Sequence, residues 1–217
     1  MQHKVHAPSE AQEAPATAPA EPVAGPCLAC APLGDGEIAN TGRAERLSPA
    51  WSGMTLLDLD SRIDLGVCPA CGALFEWSDH PQYYGSGNLD EEHLRRLGPP
   101  EADLVRALLR AGEDPDAAQA AIAPALAGGV AEDLLIALLR RLVGQQRPAF
   151  QRLLPRVLEH LFRSPRSGYG DVLGCYMFSS HNRSRELVAM IEADPRPRPP
   201  VVNQVFERCR KQLATPE

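Results

Sequence analysis

Four of the six cysteines occur as two Cys-x-x-Cys pairs, and these are the residues best placed to do chemistry. Zinc binds deprotonated thiolates in a tetrahedral shell, and a Cys-x-x-Cys turn presents two sulfurs on one side of a tight loop. Four thiolates leave no coordination position open for water, so the metal would hold the fold and perform no catalysis. We therefore predict a closed, structural Zn²⁺ site whose ligands are Cys27, Cys30, Cys68 and Cys71.

Two other uses of the cysteine pairs remain open. The shell could be completed by another ligand, for which His80 and His93 are candidates, although histidines in such positions are usually ordinary surface residues. The pairs could also form disulfides or take part in redox chemistry. A thioredoxin-like Cys-x-x-Cys starts a long helix, whereas the residues from Gly72 to Trp77 have the pattern of a strand, so the redox use is the weaker interpretation.

The second Cys pair lies in a recognisable local sequence. Cys68-Pro69-Ala70-Cys71-Gly72 follows a strand-like segment and precedes an aromatic strand. The proline rigidifies the turn, and Gly72 can take the positive φ that lets backbone N–H groups point at sulfur. Over residues 27 to about 77, roughly a quarter of the chain, this pattern resembles the knuckle of rubredoxin-type zinc ribbons. The resemblance implies a bacterial zinc-ribbon protein with a structural metal, in a family that shares a site and not one function.

The segment around the second Cys pair predicts a small β-sheet. Apolar and polar residues alternate within Met54–Leu59 and Ile63–Val67, which is the period-2 pattern of a half-buried hairpin. Ala73–Trp77 adds a third short strand. We therefore expect a three-stranded zinc ribbon.

A loop and a short helix are expected after the third strand. Residues 78–87 contain a proline and two glycines, which predicts a loop. Asn88 can cap a helix, and Glu91 lies at the capping-box position three residues later. These two elements would complete a zinc-ribbon domain over residues 27–98.

Helical patterns continue through residues 99–217, where leucines recur at i, i+3 and i+4. Asp114-Pro115 predicts the start of one of these helices. The octapeptides Asp103–Arg110 and Asp133–Arg140 agree at six of eight positions, so the helices could stack as a short solenoid. The predicted fold class is α+β and mostly α, with a small three-stranded β zinc ribbon followed by an all-helical domain.

Composition suggests where the chain resides. Residues 1–26 are rich in Ala and Pro and cannot bury enough apolar surface to fold, so we predict a disordered tail. No continuous apolar run is long enough for a membrane helix, and no apolar segment follows Met1–His6, so neither a membrane contact nor a signal peptide is expected. The expected compartment is the cytoplasm, where paired cysteines are more often metal ligands than disulfides.

Charge is distributed unevenly along the chain. Residues 1–137 carry 21 acidic and 8 basic side chains, whereas residues 138–217 carry 7 acidic and 14 basic ones. The basic third could attract phosphates, or it could attract the acidic part of the same chain. Arginines outnumber lysines 20 to 2, but a GC-rich coding sequence produces this bias without any selection for nucleic-acid binding. The candidate interaction surface consists of Arg152, Arg156, His160 and Arg163 near one helix face, with Tyr83 and Tyr84 in the predicted loop.

These observations favour a non-enzymatic, zinc-stabilised protein-interaction or adaptor protein, with a protein partner whose identity the sequence does not indicate. Zinc would replace a core that so small a sheet cannot supply by burial. The alternative is a nucleic-acid-binding accessory protein that uses the ribbon and the Arg-rich C-terminal helices, although the aromatic residues of a single-strand binder are missing. A second alternative is an enzyme with an unrecognised site. It would use the predicted loop from Tyr83 to Asp90, or Cys175 near His181 as a nucleophile, but a lone cysteine in an apolar run is usually a small buried hydrophobe. No catalytic residue is assigned.

Overall fold

The computed structural model describes residues 27–40, 45–60, 63–84, 87–112, 114–178 and 180–215, and within these ranges it leaves out the side chains of 58–60, 80–84, 87–90 and 167. The predicted tail, residues 1–26, lies outside the described residues. In the described part, five strands precede seven helices. The strands are β1 (Gly36–Asn40), β2 (Thr55–Asp60), β3 (Ile63–Val67), β4 (Leu74–Tyr84) and β5 (Gly87–Arg96). The helices are α1 (Pro99–Ala111), α2 (Pro115–Ala125), α3 (Glu132–Gln145), α4 (Arg147–Arg163), α5 (Ser167–Met177), α6 (His181–Ala193) and α7 (Pro200–Leu213).

The strands form one antiparallel sheet in the order β1-β5-β4-β3-β2. The predicted hairpin is confirmed as β2 and β3, and its turn, residues 61–62, lies outside the described residues. The prediction of three strands is wrong, because β5 and β1 extend the sheet beyond β4. The α+β class and the dominance of helix are confirmed.

The segment predicted as a loop and a short helix is strand instead. β4 continues to Tyr84, and β5 covers the region where Asn88 and Glu91 predicted a helix start. β5 pairs with β4 on one side and with β1 on the other, so its backbone finds partners on both edges. This pairing outweighs the local capping signal. Pro81 lies beyond Ser78, the last β4 residue paired with β3, which is where a strand best tolerates a residue without an N–H.

The sheet carries a different hydrophobic core on each face. Leu65 of β3 and Leu74 of β4 belong to the large core that the helices build. Phe75 and Leu94 belong to a smaller core that also contains Cys30 and Cys68. Successive side chains of a strand point to opposite faces, so the neighbours Leu74 and Phe75 serve different cores. The cysteines and the helices therefore lie on opposite faces of the sheet.

Trp51 covers the smaller core at β3. It lies in a short 3₁₀ helix, Pro49–Gly53, where the Ser48 Oγ accepts a hydrogen bond from the Ala50 N–H at 3.3 Å. The indole ring occupies the space in front of Gly66, and a Cβ at that position would lie 2.1 Å from Cζ3 of Trp51. Glycine is thus required for this close packing, and not for its backbone angles.

The helices begin at recognisable signals. Asp114 Oδ1 accepts hydrogen bonds from the N–H groups of Asp116 at 2.9 Å and Ala117 at 3.4 Å, which confirms the predicted start of α2. α2 packs against α1 and α4, while α3 packs against α4, α5 and β2. The repeated octapeptides lie in α1 and α3. Among the described residues, no helix combines the length and the apolar character needed to cross a membrane.

A buried polar network joins the sheet to the helices. Arg95 of β5 pairs with Glu76, its direct neighbour on β4, and its Nη1 lies 2.6 Å from Oε2 of Glu101 in α1. Glu101 also accepts the N–H of Gly98 at 3.2 Å and that of Ala131, just before α3, at 3.1 Å. The junction between β5 and α1 is therefore crossed by both this network and the large core.

Candidate metal centre

The first Cys-x-x-Cys turn is closed by its own backbone. The Cys27 carbonyl accepts hydrogen bonds from the N–H groups of Cys30 at 3.1 Å and Ala31 at 2.7 Å. A short 3₁₀ helix, Ala31–Leu33, follows directly, and Leu33 is buried in the smaller core. These contacts fix the turn against the sheet and direct both sulfurs to the same side.

The second turn lies between β3 and β4. The Gly72 N–H donates to the Cys68 carbonyl at 2.8 Å, and the Cys68 N–H donates to the Ala73 carbonyl at 2.9 Å. Gly72 has φ +69°, as its position after Cys71 predicted. The Arg106 guanidinium of α1 reaches the Gly72 carbonyl at 3.4 Å, so the helical part contacts this turn directly.

The two turns bring four sulfurs into one cluster. Cys27 Sγ lies 3.8 Å from Cys68 Sγ, and Cys30 Sγ lies 3.6 Å from Cys71 Sγ. The four ligand atoms all lie within 4.8 Å of one another. A tetrahedral zinc with Zn–S bonds of about 2.3 Å requires S···S separations of about 3.8 Å, so the cluster matches the size of a four-thiolate shell. The same separations are far longer than a disulfide bond of about 2.05 Å.

The environments of the four thiols differ. Backbone N–H groups of Cys30 and Ala29 directed at its sulfur lower the pKa of Cys27 to about 7. Burial raises the pKa of Cys30 to about 12, and burial also raises the pKa of Cys71. Protons therefore stay on part of the cluster at neutral pH unless a cation replaces them. Metal binding would release these protons, which makes the affinity for the metal depend on pH.

His93 does not join this cluster. Among the described residues, only the four cysteines form a group of three or more ligating side chains close enough to hold a metal. His93 lies on β5, and its Nε2 is 3.2 Å from Oε2 of Glu91. The side chain of His80 lies outside the description. The sequence thus identified correctly the four cysteines that form the cluster.

Three members of the predicted interaction surface have partners within the chain. Arg152 forms an ion pair with Asp116, and Arg163 Nη2 lies 2.6 Å from Oε1 of Glu159. His160 is partly buried, with Nδ1 2.9 Å from the Leu126 carbonyl oxygen and Nε2 3.5 Å from Oε1 of Glu132. Arg156 is exposed. Tyr83 and Tyr84 lie in β4 and not in a loop, and their side chains are outside the description.

The candidate nucleophile does not have the expected environment. Cys175 lies on α5 and is exposed, whereas the apolar run around it predicted a buried position. The nearby His181 directs its Nε2 to the Thr215 carbonyl oxygen at 2.9 Å. Within the described side chains, no hydrogen bond pairs this thiol with a base.

Sequence reasoning missed the polar network of Arg95, Glu76 and Glu101. The only local signal is the Gly98–Glu101 spacing, where the Glu101 carboxylate accepts the Gly98 N–H as an N-terminal cap would predict. The pairing of Arg95 with Glu76 depends on the register between β4 and β5. The sequence did not predict this register, because it predicted a loop and a helix where β5 lies.

Comparison with known proteins adds no family to this geometry, since no protein-family model, no curated protein and no solved structure matches the chain. What defines the chain is therefore its own architecture. It is an α+β protein with a cluster of four cysteines, able to hold a metal ion, on one face of a five-stranded sheet.

Proposed function

We propose that the four cysteines bind one Zn²⁺ as a closed structural site of zinc-ribbon type, and that the protein acts as a non-enzymatic protein-interaction or adaptor module. The observation that carries the proposal is the size of the sulfur cluster, which suits four thiolates and leaves no ligand position for water or substrate. A metal held in this way stabilises the fold and does no chemistry.

The smaller core supports a structural role for the metal. Besides Cys30 and Cys68 it contains five buried side chains, Leu33, Met54, Ala73, Phe75 and Leu94. Such a core supplies little burial, whereas structural zinc contributes an apparent free energy on the order of 10 to 16 kcal/mol at neutral pH. The metal would therefore strengthen the attachment of the first turn to the sheet, while β1 is held by its ladder to β5.

Exposed apolar side chains around the cysteine-bearing part support a protein partner. Leu28, between the two cysteines of the first turn, is 90% exposed. Ile38 and Leu56 are also exposed, and they lie on β1 and β2, the two edge strands of the sheet. Leu56 pairs with Gly66 and lies on the cysteine face with Phe75, whereas Ile38 pairs with His93 and lies on the helix face. The exposed apolar residues that a partner could contact on the cysteine side are therefore Leu28 and Leu56.

The arginine pairing favours a protein partner over a nucleic acid. Arg152 and Arg166, both in the basic third, pair with Asp116 and Glu132 of the acidic part. Charges used in this way contribute less to phosphate binding. We place the protein in the cytoplasm, where thiols stay reduced and available to zinc.

Metal analysis tests the metal site. We expect one zinc per chain in protein purified without chelator, and loss of both the zinc and the sheet signal in Cys68→Ser. Cys175→Ser is the matched control, because Cys175 is exposed and outside the cluster. A metal-free protein that keeps its sheet would overturn the structural role proposed for the metal.

Partner capture tests the adaptor role. Zinc-loaded wild type should retain specific proteins that Leu28→Asp and Leu56→Asp lose, while Phe178→Asp, at an exposed apolar residue on the helical part, should retain them. Equal capture by all four proteins would contradict the role assigned to this surface. Binding to duplex or single-stranded probes that weakens steeply with salt would favour the nucleic-acid alternative instead. Steady turnover that depends on one side chain would favour an enzyme.

A further inference from the structure

The four sulfurs of the cluster form two close pairs, and each pair joins the first Cys-x-x-Cys turn to the second. Cys30 Sγ lies 3.6 Å from Cys71 Sγ, and Cys27 Sγ lies 3.8 Å from Cys68 Sγ. In both pairs, called cross-turn pairs below, the cysteines are 41 residues apart in the chain. A disulfide bond of about 2.05 Å would require the two sulfurs of a pair to approach by about 1.7 Å. Both pairs are therefore well placed to be joined covalently.

Each cross-turn pair combines an accessible cysteine with a buried one. Cys71 is exposed and Cys27 is half-buried, whereas Cys30 is 4% exposed and Cys68 is 1% exposed. Leu28, in the middle of the first turn, is 90% exposed, so the described part of the chain leaves this turn open to solvent. An accessible thiolate with a second cysteine beside it is the arrangement typical of redox-sensing cysteines.

The remaining two cysteines lack this combination. Cys175 is exposed, but among the described residues no second sulfur contacts it. Cys209 is completely buried, and its Sγ lies 3.2 Å from the Sδ of Met177. Oxidation of Cys175 would therefore find no nearby thiol with which to form a disulfide, which makes Cys175 a useful control.

We propose that the cluster is a reversible, peroxide-responsive site, in which hydroperoxides join Cys71 to Cys30 and Cys27 to Cys68. This inference rests on the zinc site proposed above and adds its regulation. A sulfur in a disulfide is no longer a thiolate, so the oxidised cluster cannot keep the zinc. The two covalent bonds then hold the first turn to the second in place of the metal.

Each disulfide consumes one molecule of hydrogen peroxide. The Cys71 thiolate attacks one oxygen of the peroxide, the O–O bond breaks, hydroxide leaves, and the sulfur is oxidised to a sulfenic acid. The Cys30 thiolate then attacks this sulfur, the S–S bond forms, the S–O bond breaks, and a second hydroxide leaves. Two electrons pass from the two sulfurs to the peroxide. A thiol reductant reverses the reaction by thiol–disulfide exchange.

Peptide mapping of zinc-loaded, full-length protein tests the pairing without any substitution. The protein is treated with hydrogen peroxide, its free thiols are blocked, and it is digested with trypsin, which leaves the first cysteine pair in residues 5–43 and the second in residues 63–95. We expect these two peptides as one linked species that a reductant separates, and fragmentation should show Cys30 joined to Cys71. Two separate peptides with internal disulfides, or cysteines that stay reduced or become sulfinic acids, would overturn the proposal.

A chromogenic zinc indicator follows metal release during the same treatment. Release should keep pace with the linked peptides in wild type and in Cys175→Ser, which lacks the exposed thiol outside the cluster. Cys71→His keeps a zinc ligand but removes the exposed sulfur, so it should release zinc about tenfold more slowly. Equal rates for Cys71→His and wild type would contradict oxidation that begins at Cys71.

The two proposals fail in different ways. Protein that contains no zinc before peroxide is added would overturn the proposed function, whereas the peptide map can be read with or without metal. Zinc-loaded protein that forms no cross-turn disulfide would overturn only the peroxide response.

Discussion

Glu101 is the residue whose removal should most weaken the connection between the sheet and the helices. Its side chain is only 8% exposed, and it accepts three hydrogen bonds, from Arg95, Gly98 and Ala131. At a net value of about 1 kcal/mol per bond, Glu101→Ala should lower the free energy of unfolding by about 3 kcal/mol. Arg95 stays partly solvated after the change, which keeps the loss from being larger. A domain has only about 5 to 15 kcal/mol of stability, so the effect is large.

Chemical denaturation followed by circular dichroism measures this loss. Asp103→Ala is the matched control, because Asp103 lies in the same helix, is 76% exposed and makes one ion pair with Arg106. An exposed pair of this kind contributes less than about 1 kcal/mol. If Glu101→Ala and Asp103→Ala destabilise the protein equally, the network does not join the sheet to the helices in the way described.

The pH dependence gives an independent check of the same residue. Burial alone would raise the pKa of Glu101, but hydrogen bonds from Arg95, Ala131 and Gly98 outweigh burial and hold the pKa below its usual value. A carboxyl with a lowered folded-state pKa adds stability above its unfolded pKa, which is lost as the pH falls through the folded value. The stability difference between wild type and Glu101→Gln should therefore be constant near neutral pH and shrink below about pH 4. A difference that does not change with pH would contradict this assignment.

Two further substitutions test other contacts. Gly66→Ala should lower the unfolding free energy by about 2 kcal/mol, because the new methyl group would lie 2.1 Å from the Trp51 ring. Gly53→Ala is the control in the same denaturation assay and should have little effect, because no atom lies within 4 Å of the added methyl group. Equal effects of the two substitutions would contradict the packing described. Hydrogen bonds from the Arg196 side chain and backbone lower the pKa of Asp194 to about 2, so its contribution to stability should be complete above about pH 4 and disappear as the pH falls towards 2. Acid-unfolding curves of wild type and Asp194→Asn measure this, and curves that stay apart below pH 2 would refute it.

The parts of the fold that depend on local sequence were predictable. The spacing of the cysteines predicted the cluster, because a Cys-x-x-Cys turn fixes two sulfurs within four residues. Period-2 alternation predicted the hairpin of β2 and β3, and Asp114 before Pro115 predicted the start of α2. The contacts that determine the hairpin, the helix start and each cysteine turn lie close together in the chain, whereas the cluster also joins two turns 41 residues apart.

The parts that failed depend on distant partners. The Asn88–Glu91 spacing satisfies a helix cap locally, but Gly87–Arg96 becomes a strand because β1 and β4 pair with its two edges. The prediction that Cys175 is buried was wrong for a similar reason, because its exposure depends on which face of α5 packs against the neighbouring helices.

The separation of the two cysteine turns along the chain has a consequence for the order of folding. The paired sulfurs of Cys27 and Cys68 belong to residues 41 positions apart, and the chain between them contains β1, β2 and β3. A bond across this loop would remove about 4 kcal/mol of chain entropy from the unfolded state, by the same reasoning that applies to a disulfide. β1 must also find β5 across an even longer stretch, which is intrinsically slow. A metal bound early at the cluster, as proposed above, would shorten that search, so metal supply during synthesis would control how fast the sheet forms.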